Sequence, residues 1–218
     1  MAKKIGVLLS GCGVFDGAEI HEAVLTLLFL DRAGASVVCM APDMDQLHVI
    51  NHLTQKEMDE KRNVLVESAR IARGEIQDVA SIGADDIDAL IIPGGFGAAK
   101  NLSDFAVNGP DATVHPDVAR LLSEMADRAK PIGAVCIAPA TLVCALGKKS
   151  PQVTIGNDMG TAAAIETMGG AHTVCSVDDI CVDEKNRIIT TPAYMLGPGI
   201  KDVAMGIEKL VDKVLSLS

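Results

Sequence analysis

Short, uninterrupted runs of valine, isoleucine and leucine alternate with amphipathic stretches along almost the whole chain. Strands that are covered on both faces have this continuous pattern, whereas strands with one solvated face alternate apolar and polar residues. Apolar runs separated by helical patterns are typical of βαβ units. The sequence therefore predicts an α/β fold, with a doubly wound, mostly parallel sheet of the flavodoxin-like type.

The pattern also predicts the individual elements. The expected strands lie at 5–9, 36–41, 89–93, 131–135, 153–155, 174–176 with 180–182, and 187–191. The expected helices lie at 19–33, 64–73, 116–128, 137–146, 161–168 and 201–217. Two long polar connections remain, at 42–63 and 94–115, and loops of this length are more often functional than idle.

Length and composition narrow the class of protein. With 218 residues, of which 49% are hydrophobic and 22% charged, the chain is expected to form one domain over 1–218. A net charge of −10 and only 2% aromatic residues argue against nucleic acid and anionic membranes as partners. No apolar run is long enough to span a membrane, and the run at 5–9 is too short for a signal peptide.

Cysteine usage points to a reducing compartment. Six cysteines are scattered without a CxxC pair, so neither a disulfide framework nor a zinc knuckle is indicated. We expect a cytoplasmic protein. His48 and His52 have i, i+4 spacing without an HExxH motif, and the glycines at 11–17 miss the GxGxxG spacing. The sequence therefore predicts no metal, no nucleotide and no other cofactor.

The most informative segment is KPIGAVCIAPA at 130–140, in which an apolar strand ends at Cys136 and a helix begins directly afterwards. A residue at such a sharp turn faces the crevice of the sheet, as in a nucleophile elbow. The helix N-terminus favours the thiolate over the thiol and stabilises an oxyanion. Gly133 is expected to relieve crowding beneath the turn. The competing interpretation is that Cys136 is a small buried hydrophobic residue.

Two further segments accompany Cys136. Gly94 and Gly95 follow an apolar strand, where backbone N–H groups can approach an anion closely, although a flexible turn would look the same. Glu22 lies one turn beyond Glu19 at the start of the first helix, with His21 pointing elsewhere. A carboxyl group beside a thiol can transfer protons if burial raises its pKa. The alternative is favourable placement of an acid at a helix N-terminus, which suits Glu19 better.

Together these segments resemble the ThiJ/PfpI superfamily of class I glutamine amidotransferase-like proteins. The shared motifs are the opening strand, Glu22, PGGFGAAKNL at 93–102 and GAVC at 133–136. One branch is more similar, the ElbB-type glyoxalases, also called isoprenoid biosynthesis proteins with an amidotransferase-like domain. Its motifs are SGCGVFDG at 10–17, INHLT at 50–54, NVLVESARIARG at 63–74 and TTPAYM at 190–195. The resemblance covers essentially the whole chain.

The resemblance implies roles for named residues. Cys136 would be the nucleophile, and the carboxyl group of Glu22 would contact its sulfur. The N–H groups of Gly95 and Ile137 would form the oxyanion hole. Gly94 and Asn101 would be further substrate-binding residues, and Asn101 and Phe96 would limit substrate size. A homodimer is implied as well.

One departure from the superfamily pattern concerns the base. Many relatives carry a histidine about twenty residues after the cysteine, where this chain has Gly156. Hydrolase and amidotransferase chemistry are therefore disfavoured. The expected activity is the cofactor-independent conversion of glyoxal and other small 2-oxoaldehydes to 2-hydroxy acids. A redox-sensing protein with an oxidisable Cys136 is the alternative, and an amidotransferase subunit is a third interpretation.

Overall fold

A seven-stranded sheet forms the centre of the molecule in the computed structural model, which describes residues 2–218. Its strands are β1 (Lys4–Leu8), β2 (Ser36–Ala41), β3 (Ile76–Asp78), β4 (Ala89–Ile92), β5 (Ile132–Val135), β6 (Cys181–Asp183) and β7 (Ile188–Thr191). The helices are α1 (Ile20–Arg32), α2 (Val64–Ile71), α3 (Phe96–Lys100), α4 (Phe105–Asn108), α5 (Pro116–Asp127), α6 (Ala138–Leu146), α7 (Met159–Thr167) and α8 (Ile200–Leu217).

The strand order β6-β7-β5-β4-β1-β2-β3 confirms the predicted fold class. All neighbouring pairs are parallel except the β6–β7 hairpin. The chain runs from β1 outward to β2 and β3, and then returns to place β4 on the other side of β1. The order therefore reverses between β1 and β4, and in open α/β sheets ligands bind outside the carboxyl ends of the strands at such a point.

Helices cover both faces of the sheet. Helices α1, α2 and α8 pack on one face, and α3, α5, α6 and α7 pack on the other. Helix α5 shows why its sequence folds this way, because its four apolar positions at helical spacing are all fully buried. They are Val118, Leu121, Leu122 and Met125. Burying each such side chain stabilises the fold by about 1.5–3 kcal/mol.

The predicted role of Gly133 is corrected by the packing of α8. A Cβ atom at Gly133 would lie 2.9 Å from Cδ2 of Leu210 and 3.2 Å from Cγ2 of Val214, both on α8. The missing side chain therefore lets α8 close onto β5. It does not relieve crowding at the turn that follows the strand.

Several elements differ from the sequence prediction where the pattern is short. Segment 174–176 is not a strand, and of the segment predicted at 153–155 only Val153 is extended, in a two-residue strand, Gln152–Val153. It pairs with Ala171–His172 outside the main sheet. Strand β3 was missed because its three residues at the sheet edge, two half-buried and one exposed, carry no apolar run. The long connections contain a hairpin of Ile50–Asn51 with Lys56–Glu57 in one case, and α3 and α4 in the other.

Within residues 2–218, no helix combines the length and the apolar character needed to cross a bilayer.

Candidate active site

Four parallel strands bring their carboxyl ends to one crevice. Cys136 directly follows β5, Gly94 and Gly95 follow β4, and Tyr194 follows β7. Helix α1, reached from β1, carries Glu22 to the same place. The site therefore lies at the reversal of strand order, where the fold predicts it.

Cys136 has the geometry of a nucleophile elbow, as the sequence predicts. Its φ is +61°, a left-handed conformation that is uncommon for a residue with a side chain. Its peptide N–H donates to the carbonyl oxygen of Thr191 over 2.9 Å, so the neighbouring β7 holds the turn. The residue is 7% exposed, and helix α6 begins two residues later, at Ala138.

Glu22 is completely buried and is held by two backbone donors. The N–H of Gly94 donates to Oε2 over 2.9 Å, and the N–H of Tyr194 donates to Oε1 over 3.2 Å. Its carboxyl group also lies beside the thiol of Cys136, close enough for each group to shift the pKa of the other. Glu19 is the N-cap of α1, and its carboxylate accepts from the N–H of Glu22 over 2.7 Å. Glu19 is therefore the acid that caps the helix N-terminus, and Glu22 is the acid that lies beside the thiol.

Burial governs the protonation of this pair. Desolvation, followed by repulsion from Glu19, raises the pKa of Glu22 to about 8. Burial and the nearby Glu22 also raise the pKa of Cys136 above its usual range, although the N–H groups of Gly95 and Ile137 act in the opposite direction. The expectation of a thiolate favoured by the helix N-terminus is therefore wrong for the free protein. Near neutral pH the pair is mostly in its uncharged form.

The backbone N–H groups that were predicted to contact substrate or its oxyanion have different partners. The N–H groups of Gly95 and Ile137 lie close enough to the thiol of Cys136 to lower its pKa, and there they can receive charge that develops beside the sulfur. The N–H of Gly94 is instead engaged by Glu22. Gly94 is therefore corrected from a substrate-binding residue to a residue that positions Glu22. Gly95 has a φ of +94°, and a Cβ there would lie 2.4 Å from the backbone nitrogen of Glu19.

A cavity of about 380 Å³ opens above Cys136. It is lined by Val14, Glu19, Gly95, Phe96, Cys136, Ile137, Asp158, Thr161, Tyr194 and Met195. Phe96 is thus a wall of the cavity, and it remains 47% exposed. No histidine of the described chain belongs to the lining.

Asn101 does not fit the predicted substrate-binding role. Its side-chain amide donates to the carbonyl oxygens of Ser10 and Asp16, both over 2.9 Å, and accepts from the N–H of Leu47 over 3.0 Å. It is 3% exposed and lies outside the cavity lining. With its polar atoms already bonded to three backbone groups, Asn101 holds loops together and leaves substrate selection to other residues.

Sequence reasoning did not place Tyr194 or Asp158 among the site residues, although both line the cavity. Tyr194 lies in a single 3₁₀ turn after β7, and its hydroxyl is 2.7 Å from Nδ1 of His21. Its position directly after a buried strand was the available signal. Asp158 is the N-cap of α7 and accepts from the N–H of Thr161 over 2.7 Å.

Neither Gly156, at the position of the missing base, nor His52, considered as a metal ligand, is available for that role. Gly156 has a φ of +93°, and a Cβ there would lie 2.7 Å from Cγ of Leu196, so the backbone itself favours glycine. Nε2 of His52 accepts the N–H of Phe15 over 3.2 Å. Throughout residues 2–218, no three His, Cys, Asp or Glu side chains are grouped as metal ligands.

Comparison with known proteins gives consistent results. The sequence profile of the DJ-1/PfpI family matches residues 12–195. The human mitochondrial glutamine amidotransferase-like class 1 domain-containing protein 3 is 47% identical over 227 residues, covering 100% of this chain and 84% of the relative. The mitochondrial ES1 protein homolog of Rattus norvegicus is 47% identical over 226 residues, with 99% and 84% covered.

Solved structures agree with the sequence relatives. An isoprenoid biosynthesis protein with an amidotransferase-like domain from Ehrlichia chaffeensis is 39% identical, has a TM-score of 0.93, and is matched over 99% of both chains. A DJ-1 superfamily protein from Agrobacterium tumefaciens, 19% identical, has a TM-score of 0.57 over 100% of this chain and 92% of its own. At that identity only the fold is shared.

Proposed function

The chain belongs to the DJ-1/PfpI family, and from this premise we propose that it is a cofactor-independent glyoxalase. It would convert glyoxal and related small 2-oxoaldehydes to 2-hydroxy acids through Cys136. One observation carries the proposal: a buried carboxyl group with a pKa of about 8, Glu22, lies beside the elbow thiol and beneath a cavity that no histidine lines. Such a pair suits repeated proton transfer at carbon next to a carbonyl group.

The first step is addition of the thiol to the aldehyde. In the form of the pair that has lost one proton, the sulfur of Cys136 bonds to the aldehyde carbon while the thiol proton passes to the carboxylate of Glu22. The carbonyl π electrons move to oxygen, which the N–H groups of Gly95 and Ile137 receive. Protonation of that oxygen by Glu22 gives a hemithioacetal and returns Glu22 to its carboxylate form.

The second step is an internal redox isomerisation. Glu22 removes the proton from the carbon that carries sulfur, which gives an enediolate, and returns a proton to the neighbouring carbon, while the hydroxyl proton on the first carbon moves to the oxygen of the second. The former aldehyde carbon is oxidised to a thioester and its neighbour is reduced to an alcohol, so no external oxidant or reductant is needed. Water then attacks the thioester, the carbon–sulfur bond breaks, and the 2-hydroxy acid leaves with Cys136 restored.

The alternatives fit the site less well. Amidotransferase or hydrolase chemistry needs a base at the position of Gly156, where a side chain would clash with Leu196. A redox sensor needs an exposed, low-pKa thiol, whereas Cys136 is 7% exposed and burial raises its pKa. The homodimer and the cytoplasmic location remain proposals, and the six free cysteines support a reducing compartment.

Direct detection of glycolate tests the proposal. Wild type and Cys136→Ala are incubated with glyoxal in the absence of glutathione and added metal. We expect glycolate from wild type and none above background from the variant. If neither protein forms glycolate or another 2-hydroxy acid from a 2-oxoaldehyde, the proposed activity is wrong.

A further inference from the structure

The cavity above Cys136 is larger and more apolar than glyoxal requires. Its walls are formed by the side chains of Val14, Phe96, Ile137 and Met195 and by the ring of Tyr194. A volume of about 380 Å³ lies within the range of sites that bury whole small-molecule ligands. Glyoxal, the smallest dicarbonyl aldehyde, would leave most of these apolar walls uncovered. A substrate with an apolar substituent would cover them.

The charges around the cavity all have one sign. Glu19 and Asp158 belong to the lining, and Glu22 lies buried beneath it. No lysine, arginine or histidine of the described chain is part of the lining. Lys100 lies beside Phe96, with its ammonium group 5.2 Å from the ring centroid, and donates to the carbonyl oxygen of Phe15. Lys100 is not a lining residue and does not offset the acids.

Asp158 is well placed to impose a charge preference. As the N-cap of α7 it accepts from the N–H of Thr161, which lowers its pKa and keeps it ionised across the working range. Asp158 is exposed to solvent and Glu19 is 8% exposed, so an incoming anion would be repelled by one partly screened carboxylate and by one buried carboxylate. An uncharged molecule avoids that repulsion, and an ammonium group would be attracted.

We propose that the site takes uncharged or ammonium-bearing 2-oxoaldehydes with an apolar substituent and excludes anionic ones, with Asp158 as a specificity-determining residue. The reaction in this statement rests on the proposed function, whereas the charge preference is a property of the cavity itself. The two can therefore be tested separately.

Alkylation of Cys136 measures the charge preference without turnover. Iodoacetamide and iodoacetate are nearly the same size and differ by one charge. The ratio of the iodoacetamide rate to the iodoacetate rate is measured at the Cys136 peptide by mass spectrometry, so the ionisation of the thiol cancels. Dividing it by the same ratio for 2-mercaptoethanol removes the intrinsic difference in reactivity between the two reagents. We expect wild type to favour iodoacetamide by about fivefold or more, and Asp158→Asn to reduce that preference about threefold. Asparagine is as good an N-cap as aspartate, so α7 is retained.

Asp212→Asn provides the matched control, because it removes the same charge from an exposed position on α8 outside the cavity. We expect its ratio to equal that of wild type. The charge preference is overturned if Asp158→Asn leaves the ratio unchanged, or if Asp212→Asn changes it equally.

Turnover of matched aldehydes tests the substrate class. We expect kcat/KM to be about tenfold higher for phenylglyoxal than for glyoxal, and to fall severalfold for 4-carboxyphenylglyoxal, with partial recovery in Asp158→Asn. Equal values for glyoxal and phenylglyoxal would overturn the apolar preference. If no 2-oxoaldehyde is turned over, the proposed function fails, while the alkylation ratio still decides the charge preference.

Discussion

The peptide N–H of Gly94 donates to Oε2 of Glu22 over 2.9 Å, and a Cβ atom at Gly94 would lie only 2.4 Å from Cβ of Cys136. One glycine therefore orients the acid and leaves room for the nucleophile. It joins the loop after β4 to the turn after β5 and to helix α1. The site depends on this contact between three elements that are far apart in sequence.

Gly94→Ala should damage both the site and the fold. The added methyl group would also lie 2.6 Å from Oε2 of Glu22 and 2.9 Å from the carbonyl oxygen of Val135, so it must displace backbone. We expect a destabilisation of about 1–3 kcal/mol or more and loss of Cys136-dependent activity. Urea denaturation and glycolate formation measure the two effects. Gly83→Ala, whose Cβ would meet nothing closer than 3.7 Å, should leave both unchanged. Equal behaviour of the two variants would contradict this role for Gly94.

Glu22→Gln should lower turnover by about 10²- to 10⁴-fold, because glutamine cannot exchange protons with Cys136 or with substrate. It should also cost about 1–3 kcal/mol of stability. The two carboxyl oxygens each accept one backbone N–H, from Gly94 and from Tyr194. In glutamine an NH₂ group replaces one of these oxygens and cannot accept the hydrogen bond. Circular dichroism checks the fold and steady-state kinetics the rate. An unchanged kcat/KM would remove Glu22 from the mechanism.

The stability difference between wild type and Glu22→Gln should depend on pH. The pKa of Glu22 is about 8 in the folded protein against 4.5 as its ordinary value, so the folded state holds the proton more tightly. This contribution to stability is complete below about 4.5 and is lost as pH rises toward about 8. The free energy of unfolding of wild type, relative to the variant, should therefore fall across that range and then level off. Urea titrations at several pH values measure it, and a difference that is constant or rises with pH would contradict the assignment.

Activity should rise with pH over the same region. The pair must lose one proton before the thiol can add to an aldehyde, and the Glu22 pKa of about 8 sets this step. We expect kcat/KM to increase about tenfold per pH unit below about 8 and to become constant above it. A profile that is flat between pH 6 and 8 would show that another group controls the reaction.

Asn101→Ala should act on stability. The change leaves the carbonyl oxygens of Ser10 and Asp16 and the N–H of Leu47 without their partner, in a residue that is 3% exposed. We expect a loss of about 1–3 kcal/mol, with KM for glyoxal nearly unchanged in the folded fraction. A raised KM at unchanged stability would restore the substrate-binding role that the sequence suggested.

The elements with long, strongly periodic patterns were predictable. The buried strands from β1 to β5 other than β3, and the helices α1, α5 and α8, lie within a residue or two of their expected bounds, because their apolar spacing reflects burial directly. Strand β3 was not predictable, since an edge strand of three residues needs only its hydrogen bonds to β2. The helices α3 and α4 are held by tertiary contacts more than by their own sequence.

The sequence by itself determined that an α/β sheet would end in a cysteine elbow, with two glycines and an N-terminal acid available nearby. Only the tertiary structure decided which atoms meet. It assigned the N–H of Gly94 to Glu22, removed Asn101 from substrate contact, and brought Tyr194 and Asp158 into the cavity. It also raised the pKa of the Cys136 thiol, which the sequence predicted to be lowered, because a pKa depends on burial and neighbouring charge. Those quantities exist only once separate strands have packed together.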